Sequence, residues 1–404
     1  MFFLIDEKYS LTYEEILQHV NTADFYTDCY IYPNLKSFFL NWIFALANDR
    51  HIALMDSDIS QKEIDSNELT INQLVKIDQT KKIGSVEDLV DCINNSLSEI
   101  TLFTSGTTGF TRKFTHPLKN LIRKINISEE RKNDVWGFAF NPTHVAGVQV
   151  FFQAILNQNL LVNVFMLPKD FVIDAIKTYK ITNLSSTPTF YRLLFPLKES
   201  FESVKKITIG GEKSDAHLIS EVVKAFPSAR INNVYGSTET GPLFSSQNDE
   251  FVVQEKHIGL IKVVEDELYI HKDLFGKNSQ LNLIDDFYPT GDLIEWLDDA
   301  QRRFRFVSRK NELINVGGYK VNPYEVEDEL TQHPKIRNVR VFGKANAVLG
   351  NVICCDVELH PGEELKEEEI RFYLNGKIQN FKIPRKVTFV DKIELTRTGK
   401  KKIS

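Results

Sequence analysis

Thr104-Ser-Gly-Thr-Thr-Gly109, continued by Phe110-Thr-Arg-Lys113, follows the short apolar run Ile100-Thr-Leu-Phe103. A stretch so crowded with glycine and small hydroxyls packs no core. Gly106 and Gly109 open backbone angles closed to other residues and let N–H groups approach a ligand closely. Thr104, Ser105, Thr107 and Thr108 add hydroxyl donors, and Arg112 and Lys113 add positive charge. The combination suits a polyphosphate. It matches neither Gly-x-x-x-x-Gly-Lys-Ser/Thr nor Gly-x-Gly-x-x-Gly, and a polar turn between two strands explains the loop equally well.

Outward from the loop, β-forming runs alternate with longer helical patterns between residues 30 and 240, which predicts α/β layers with largely parallel strands. The expected strands are His51 to Met55, Ile100 to Phe103, Val135 to Phe140, Leu160 to Phe165, Asn183 to Ser186, Lys206 to Ile209 and Arg230 to Val234. Helices fill the gaps at Val148 to Gln158, Ile173 to Tyr179, Phe190 to Leu197 and Ala216 to Phe226. After Gly241 alternating strands with acidic turns predict a β-rich subdomain. From Asn311 a compact α+β segment is expected, with helices Pro323 to Leu330 and Glu364 to Asn375 around strands Val339 to Phe342 and Val352 to Leu359.

At 404 residues the chain suits a large domain plus a smaller one. A net charge of −6 provides no general attraction to nucleic acid or an acidic membrane. The N-terminal Met1-Phe-Phe-Leu-Ile5 run ends at Asp6 and Glu7, short of a signal peptide's apolar region. The apolar run Phe38 to Ala47 is about half a membrane span and reads as a buried helix. Cys29, Cys92, Cys354 and Cys355 show no metal or disulfide spacing. A cytoplasmic protein with reduced thiols, no membrane span and no nucleic-acid partner is the expectation.

Four further stretches carry chemistry. Tyr235-Gly-Ser-Thr-Glu-Thr-Gly241 brings an aromatic face, hydroxyls and one carboxylate to a glycine-bounded turn, fit to stack a base, touch a phosphate and hold Mg2+. Tyr288-Pro-Thr-Gly-Asp292 offers a carboxylate at a tight turn, an acceptor for a ribose diol. Phe306 to Lys320 and Leu395-Thr-Arg-Thr-Gly-Lys400 follow. On charge alone the terminal Lys400-Lys-Lys402 would be a solvated tail.

In this order the motifs resemble the adenylate-forming superfamily of acyl-CoA synthetases, aryl-CoA ligases, peptide-synthetase adenylation domains and luciferases, from about residue 30 to 404. The resemblance implies a large N-terminal domain (1–310) of layered sheets and helices with a β-rich subdomain, and a small mobile α+β lid (311–404) hinged near Asn311. It implies ATP-dependent activation of a carboxylic acid to an acyl adenylate, then transfer to CoA or to the phosphopantetheine of a carrier protein. By the same resemblance Thr104, Ser105, Gly106, Thr107, Thr108 and Gly109 wrap the β- and γ-phosphates of ATP. Tyr235 lies on the adenine, with Gly236 and Ser237 beside it on the nucleotide. Thr238 contacts the α-phosphate, Glu239 binds Mg2+, and Gly211 and Glu212 form the adenine-side strand end. Asp292 and Arg309 hold the ribose, and Lys400 reaches from the lid to the reacting groups. The thiol tunnel would pass Gly317-Gly318-Tyr319.

His144 matches a family position at the edge of the acyl pocket, although a capping or core histidine reads almost as well. Around it Val145, Ala146, Val148, Phe151 and Phe152 are expected to wall an apolar acid, with Thr187 to Tyr191 adding aromatic surface. No carboxylate stands there to pair with an ammonium, so an α-amino acid is disfavoured. Thr111, Arg112 and Asn311 depart from the usual family residues. The departures at Thr111 and Asn311 motivate an alternative, a catalytically silent nucleotide-binding or interaction protein on the same scaffold.

Overall fold

A computed structural model describes residues 1–31, 34–56, 59, 61–66, 69–105, 111–214, 216–237, 240–275, 282–316, 319–346, 350–396 and 401–402. Its centre is an eight-stranded sheet in the order Gly241–Ser246, Arg230–Ser237, Lys206–Gly210, Asn183–Ser186, Val135–Phe138, Leu160–Asn163, Phe2–Ile5 and Ser10–Thr12. The interior strands are parallel and only the outermost pairings are antiparallel. Parallel pairing demands crossovers, and the helices Val145–Leu156, Lys169–Tyr179, Pro188–Leu194 and Ala216–Ala225 supply them. Asn183–Ser186 is buried along its whole length, as a strand covered on both faces must be.

The direction in which successive strands are added reverses in the middle of this sheet. From Val135–Phe138 the chain crosses over to Leu160–Asn163 on one side, whereas from the adjacent Asn183–Ser186 it crosses to Lys206–Gly210 on the other. Between two such strands the loops part and leave a crevice at the carboxyl ends, the usual seat of a ligand in open α/β sheets.

A four-stranded sheet of Cys29–Ile31, Ile52–Met55, Glu99–Ser105 and Thr111–Pro117 stands beside the main one. Its last two strands form a hairpin in which Ser105 faces Thr111, so Thr111, Arg112 and Lys113 belong to the return strand. The β-rich subdomain is a five-stranded antiparallel sheet containing Glu267–His271, Phe287–Trp296 and Arg303–Arg309. The C-terminal segment builds a further sheet around Ile336–Asn346 and Gly350–Leu359, with helices Pro323–Thr331 and Glu367–Leu374. Asn322 caps the first of these helices and Pro323 starts it.

Most predicted elements are present with shifted ends. The helix expected from Val148 starts at Val145, because His144 has the extended backbone of an N-cap. The strand expected over Val339 to Phe342 spans Ile336–Asn346. Phe2–Ile5, which the pattern left unassigned, is an inner strand of the main sheet. Leu35–Ala47 is the buried helix expected near Phe38. Among the described residues no helix is long and apolar enough to cross a membrane.

Packing on the Leu35–Ala47 side is aromatic. Trp42 stacks on Phe151 at 3.9 Å between ring centroids, Phe39 stacks on Phe151 at 5.2 Å, and Phe152 meets Trp42 edge-on at 5.4 Å. The C-terminal core is aliphatic, assembled from Val321, Val326, Leu330, Val339, Ile353, Val357, Ile370 and Leu374. It touches the rest of the chain through Arg337 Nη2, which donates to the Leu193 carbonyl (3.3 Å), and through Lys213 Nζ, 3.6 Å from Asp328 Oδ2.

Candidate active site

The strand Arg230–Ser237 delivers Tyr235 at its carboxyl end. Tyr235 Oη donates to Asp292 Oδ2 (2.6 Å) and the ring stacks on Phe306 at 4.1 Å, which occupies one of its two faces. Burial, followed by the nearby Asp292 charge, holds the phenol well above its ordinary pKa. Asp292 also accepts from Arg309 Nε (2.7 Å), its direct cross-strand neighbour. Desolvation is the largest single influence and works against the Arg309 charge, but Asp292, Tyr235 and Glu312 together outweigh it and raise the guanidinium pKa. The Asp292 side chain is 8% exposed and that of Arg309 49%, so the pair opens outward through the cation.

The turn that presents Asp292 is braced from behind. Buried Glu267 accepts from the Gly291 N–H (2.9 Å) through one oxygen and from Lys310 Nζ (2.9 Å) through the other. Lys310 N–H closes the arrangement on the Gly291 carbonyl at 2.7 Å. Gly291 has φ of 75°, the left-handed backbone this turn requires. Nothing in the sequence pattern marked Glu267 or Lys310; each reads as an ordinary charge in a β-rich region.

Tyr235-Gly-Ser237 pairs antiparallel with the return strand Gly241–Ser246. A Cβ at Gly236 would lie 2.6 Å from the Gly241 carbonyl, so the hairpin closes only on glycine. Ser237 Oγ accepts from Thr240 N–H (3.3 Å). Arg123 Nη2 donates to the Thr240 carbonyl (3.2 Å) and Lys124 Nζ to that of Pro242 (2.5 Å). Both cations follow the short helix Leu118–Ile122, the continuation of the hairpin that carries the glycine-hydroxyl loop. They fasten that hairpin to the Tyr235 turn and went unread in the sequence.

Gly210-Gly211-Glu212 ends the neighbouring strand, with Gly211 at φ of 85°. Glu212 Oε2 accepts from the Thr189 N–H (3.0 Å) and Oγ1 (2.7 Å) at the first turn of Pro188–Leu194. Part of its capacity therefore goes to holding that helix against the crevice. His144 is half-buried at the N-cap of Val145–Leu156, at the carboxyl end of Val135–Phe138, and its side chain makes no capping bond. Asn141, just before it, donates to Asp56 Oδ2 (2.6 Å).

The expected wall of the acid pocket is corrected. Val148, Phe151 and Phe152 have no exposed surface and fill the aromatic core. Only Val145 and Ala146 of that set remain half-buried near His144. Tyr191 is likewise fully buried, donating to the Leu184 carbonyl (2.9 Å), so aromatic surface from that segment reduces to the half-buried Phe190. Helical spacing of apolar residues fits a core face and a pocket wall alike, and here the core claimed them.

Gly106, Thr107, Thr108, Gly109, Thr238, Glu239, Gly317, Gly318 and Lys400 lie outside the described residues, as do the side chains of Thr104, Ser105 and Arg112. Among the described residues no group of three or more His, Cys, Asp or Glu is placed to hold a metal ion.

The AMP-binding enzyme family model matches residues 52–279, and that of the AMP-binding enzyme C-terminal domain matches residues 325–400. The chain belongs to the AMP-binding enzyme family. Among curated AMP-binding enzymes it is similar to the mitochondrial medium-chain acyl-CoA ligase of Rattus norvegicus, 27% identical over 56% of this chain and 42% of that one. The human counterpart is 27% identical over 74% of this chain and 55% of the relative. The chain thus spans about half the length of these curated relatives. Among solved structures it resembles the O-succinylbenzoate CoA synthetase of Bacillus subtilis in complex with ATP and magnesium ion, with a TM-score of 0.69 at 18% identity over 97% of this chain and 94% of that one. An anthranilate CoA ligase in complex with anthranoyl-AMP gives 0.73 at 17% identity over 99% and 92%. At such identities the likeness speaks to the fold, a mixed α/β architecture.

Proposed function

We propose that this AMP-binding enzyme is an acid–thiol ligase. It activates a carboxylic acid, aryl or fatty acyl rather than α-amino, with ATP to an acyl adenylate and passes the acyl group to CoA or to a carrier protein's phosphopantetheine. The observation that carries the reading is the corner of Tyr235, Asp292 and Arg309, which opens outward through Arg309 beside the carboxyl end of the parallel strand Arg230–Ser237. A carboxylate has about four lone-pair directions; Tyr235 and Arg309 use part of them, and the rest suit the hydroxyls of a ribose.

In the first step a carboxylate oxygen of the acid attacks the α-phosphorus. The bond from that phosphorus to the bridging oxygen breaks, and pyrophosphate leaves with the electron pair. Two anions meet, so the protein's work is neutralisation and positioning. Lys400 would bring its charge to the α-phosphate and the acid, and Thr238 would donate to the same phosphate. Thr104 to Gly109 would wrap the outer phosphates, Glu239 would hold the Mg2+ that accompanies ATP, and Gly211, Glu212, Tyr235, Gly236 and Ser237 would line the nucleotide. His144 would orient the acid's carboxylate. In the second step a thiolate sulfur attacks the acyl carbon, the carbon–oxygen bond to the phosphate breaks and AMP leaves.

Residues 311–404 are read as the lid that turns between the two steps on residues 1–310, with Asn311 as hinge. A separate aliphatic core supports this division. The four cysteines are free, which supports a reducing cytoplasmic setting. Pyrophosphate release measured across benzoic, cinnamic and fatty acids tests the reading. Release that depends on one class of acid is expected; folded protein that binds ATP but releases none with any acid would sink it.

A further inference from the structure

Lys401 is buried. Its Nζ donates to Glu327 Oε2 and to the Val339 carbonyl, both at 2.6 Å, and the two side chains of the ion pair are only 13% and 10% exposed. The other oxygen of Glu327 accepts from the Val341 N–H (2.8 Å). One carboxylate on the helix Pro323–Thr331 therefore ties together that helix, the strand Ile336–Asn346 and the end of the chain. Around it the backbone is also held: Leu395 bridges Lys401 in antiparallel fashion, Lys402 N–H donates to the Glu394 carbonyl (3.0 Å), and Arg340 Nη1 donates to the Lys402 carbonyl (2.6 Å).

A buried ion pair is a poor way to add stability. Removing two charges from water costs several kcal/mol per ion, and apolar side chains of similar volume often do as well or better. Val339, whose carbonyl Lys401 reaches, belongs to the aliphatic C-terminal core, so an apolar side chain at 401 would have had apolar company at hand. The ion pair offers direction instead. It fixes one point of the chain, and residue 400 lies one Cα step, about 3.8 Å, away.

We infer that Lys401 is a positioning residue: its bonds to Glu327 and Val339, with the Leu395–Lys401 bridge, fix the point of the chain next to Lys400 and so set where Lys400 is delivered. This rests on the proposed adenylation role of Lys400. The apparent solvated tail of three lysines thus divides by task, since Lys401 is committed inward and Lys402 pairs with exposed Glu394 at 3.1 Å.

The test uses the full chain carrying Lys401→Met together with Glu327→Gln, which removes both buried charges while leaving an acceptor for Val341. Thermal unfolding checks that it folds. Amide exchange over residues 391–402 reads the anchor itself, and acid-dependent ATP–pyrophosphate exchange reads adenylation. Thioester formation from preformed acyl adenylate reads the second step. The expected result is a melting temperature close to that of the unaltered protein, faster exchange confined to 391–402, and adenylation lower by about 10- to 100-fold. Thioester formation should stay within about threefold, since that step does not use Lys400 in this scheme. Unchanged exchange over 391–402, unchanged adenylation or equal loss of both steps would each overturn the inference. Lys400→Ala run in parallel separates the two ideas. If it leaves adenylation intact, the reading of Lys400 has failed, and the catalytic purpose of the anchor falls with it whatever the amide exchange reports.

Discussion

The corner around Tyr235, Asp292 and Arg309 and the helix Val145–Leu156 both carry residues that the sequence nominated for the site, and the structure treats them oppositely. In the corner the polar atoms meet one another at 2.6 and 2.7 Å and the outermost group remains half exposed. On the helix the nominated aromatics have vanished into a stack with Trp42 and Phe39. A buried polar cluster keeps its place because each member would be costly without the others. An apolar side chain is content against any apolar neighbour, so its position says little about ligands.

The hardest attempt to break this contrast is Phe151→Ala. Truncating a fully buried aromatic ring should cost about 3–5 kcal/mol of stability, seen as a large fall in denaturation midpoint. The KM for the acid should not move. A selective rise in that KM, with stability preserved, would return Phe151 to the pocket wall.

Asp292→Asn tests the other side. The variant keeps the shape but loses the charge that faces Arg309, and two charge-assisted hydrogen bonds weaken together. Adenylation should fall about 100-fold, equivalent to about 2.7 kcal/mol, with most of the loss in apparent ATP affinity. Equal activity would mean that the corner is a structural brace and not a ribose seat.

Such behaviour explains what was legible. The alternation of β-formers and helices is dictated by burial on both faces of a parallel sheet, so strands such as Asn183–Ser186 could be read residue for residue. Tyr235, Asp292 and Arg309 were legible because motifs record side chains that nothing else can replace. Glu267, Lys310, Arg123 and Lys124 were not, since their partners are backbone groups or charges distant in sequence: Glu267 meets Gly291 and Lys310, while Arg123 reaches Thr240. Phe2–Ile5 escaped for a related reason. A four-residue apolar run is ambiguous until Leu161 and Val162 stand beside it.

Glu267→Gln sharpens the comparison more gently. The amide retains an acceptor for the Gly291 N–H but loses the ion pair with Lys310, whose side chain is 55% exposed and screened by solvent. Adenylation should drop by roughly tenfold through a loosened Asp292 turn, with stability little changed. A double variant with Asp292→Asn should lose no more than Asp292→Asn alone if Glu267 acts only through that turn.

The smallest effect should come from protons, and it returns to the aromatic core. His19 packs edge-on against Phe44 at 5.8 Å, and burial lowers its pKa below the ordinary 6.5. His51, His257, His333 and His360 shift in the same direction, each with burial as the leading cause. A histidine whose folded pKa is depressed binds fewer protons in the folded chain than in the unfolded one at pH values just under 6.5. Its contribution to stability is therefore complete above that value and is lost as pH falls through the folded pKa. Denaturation midpoints should hold steady from pH 8 to about 7 and decline on the acid side of about 6.5. His19→Gln should flatten part of that decline without altering adenylation at neutral pH, because His19 belongs to the core and not to the corner. A midpoint that instead improves on mild acidification would show that some of these rings gain a carboxylate partner strong enough to reverse the burial effect.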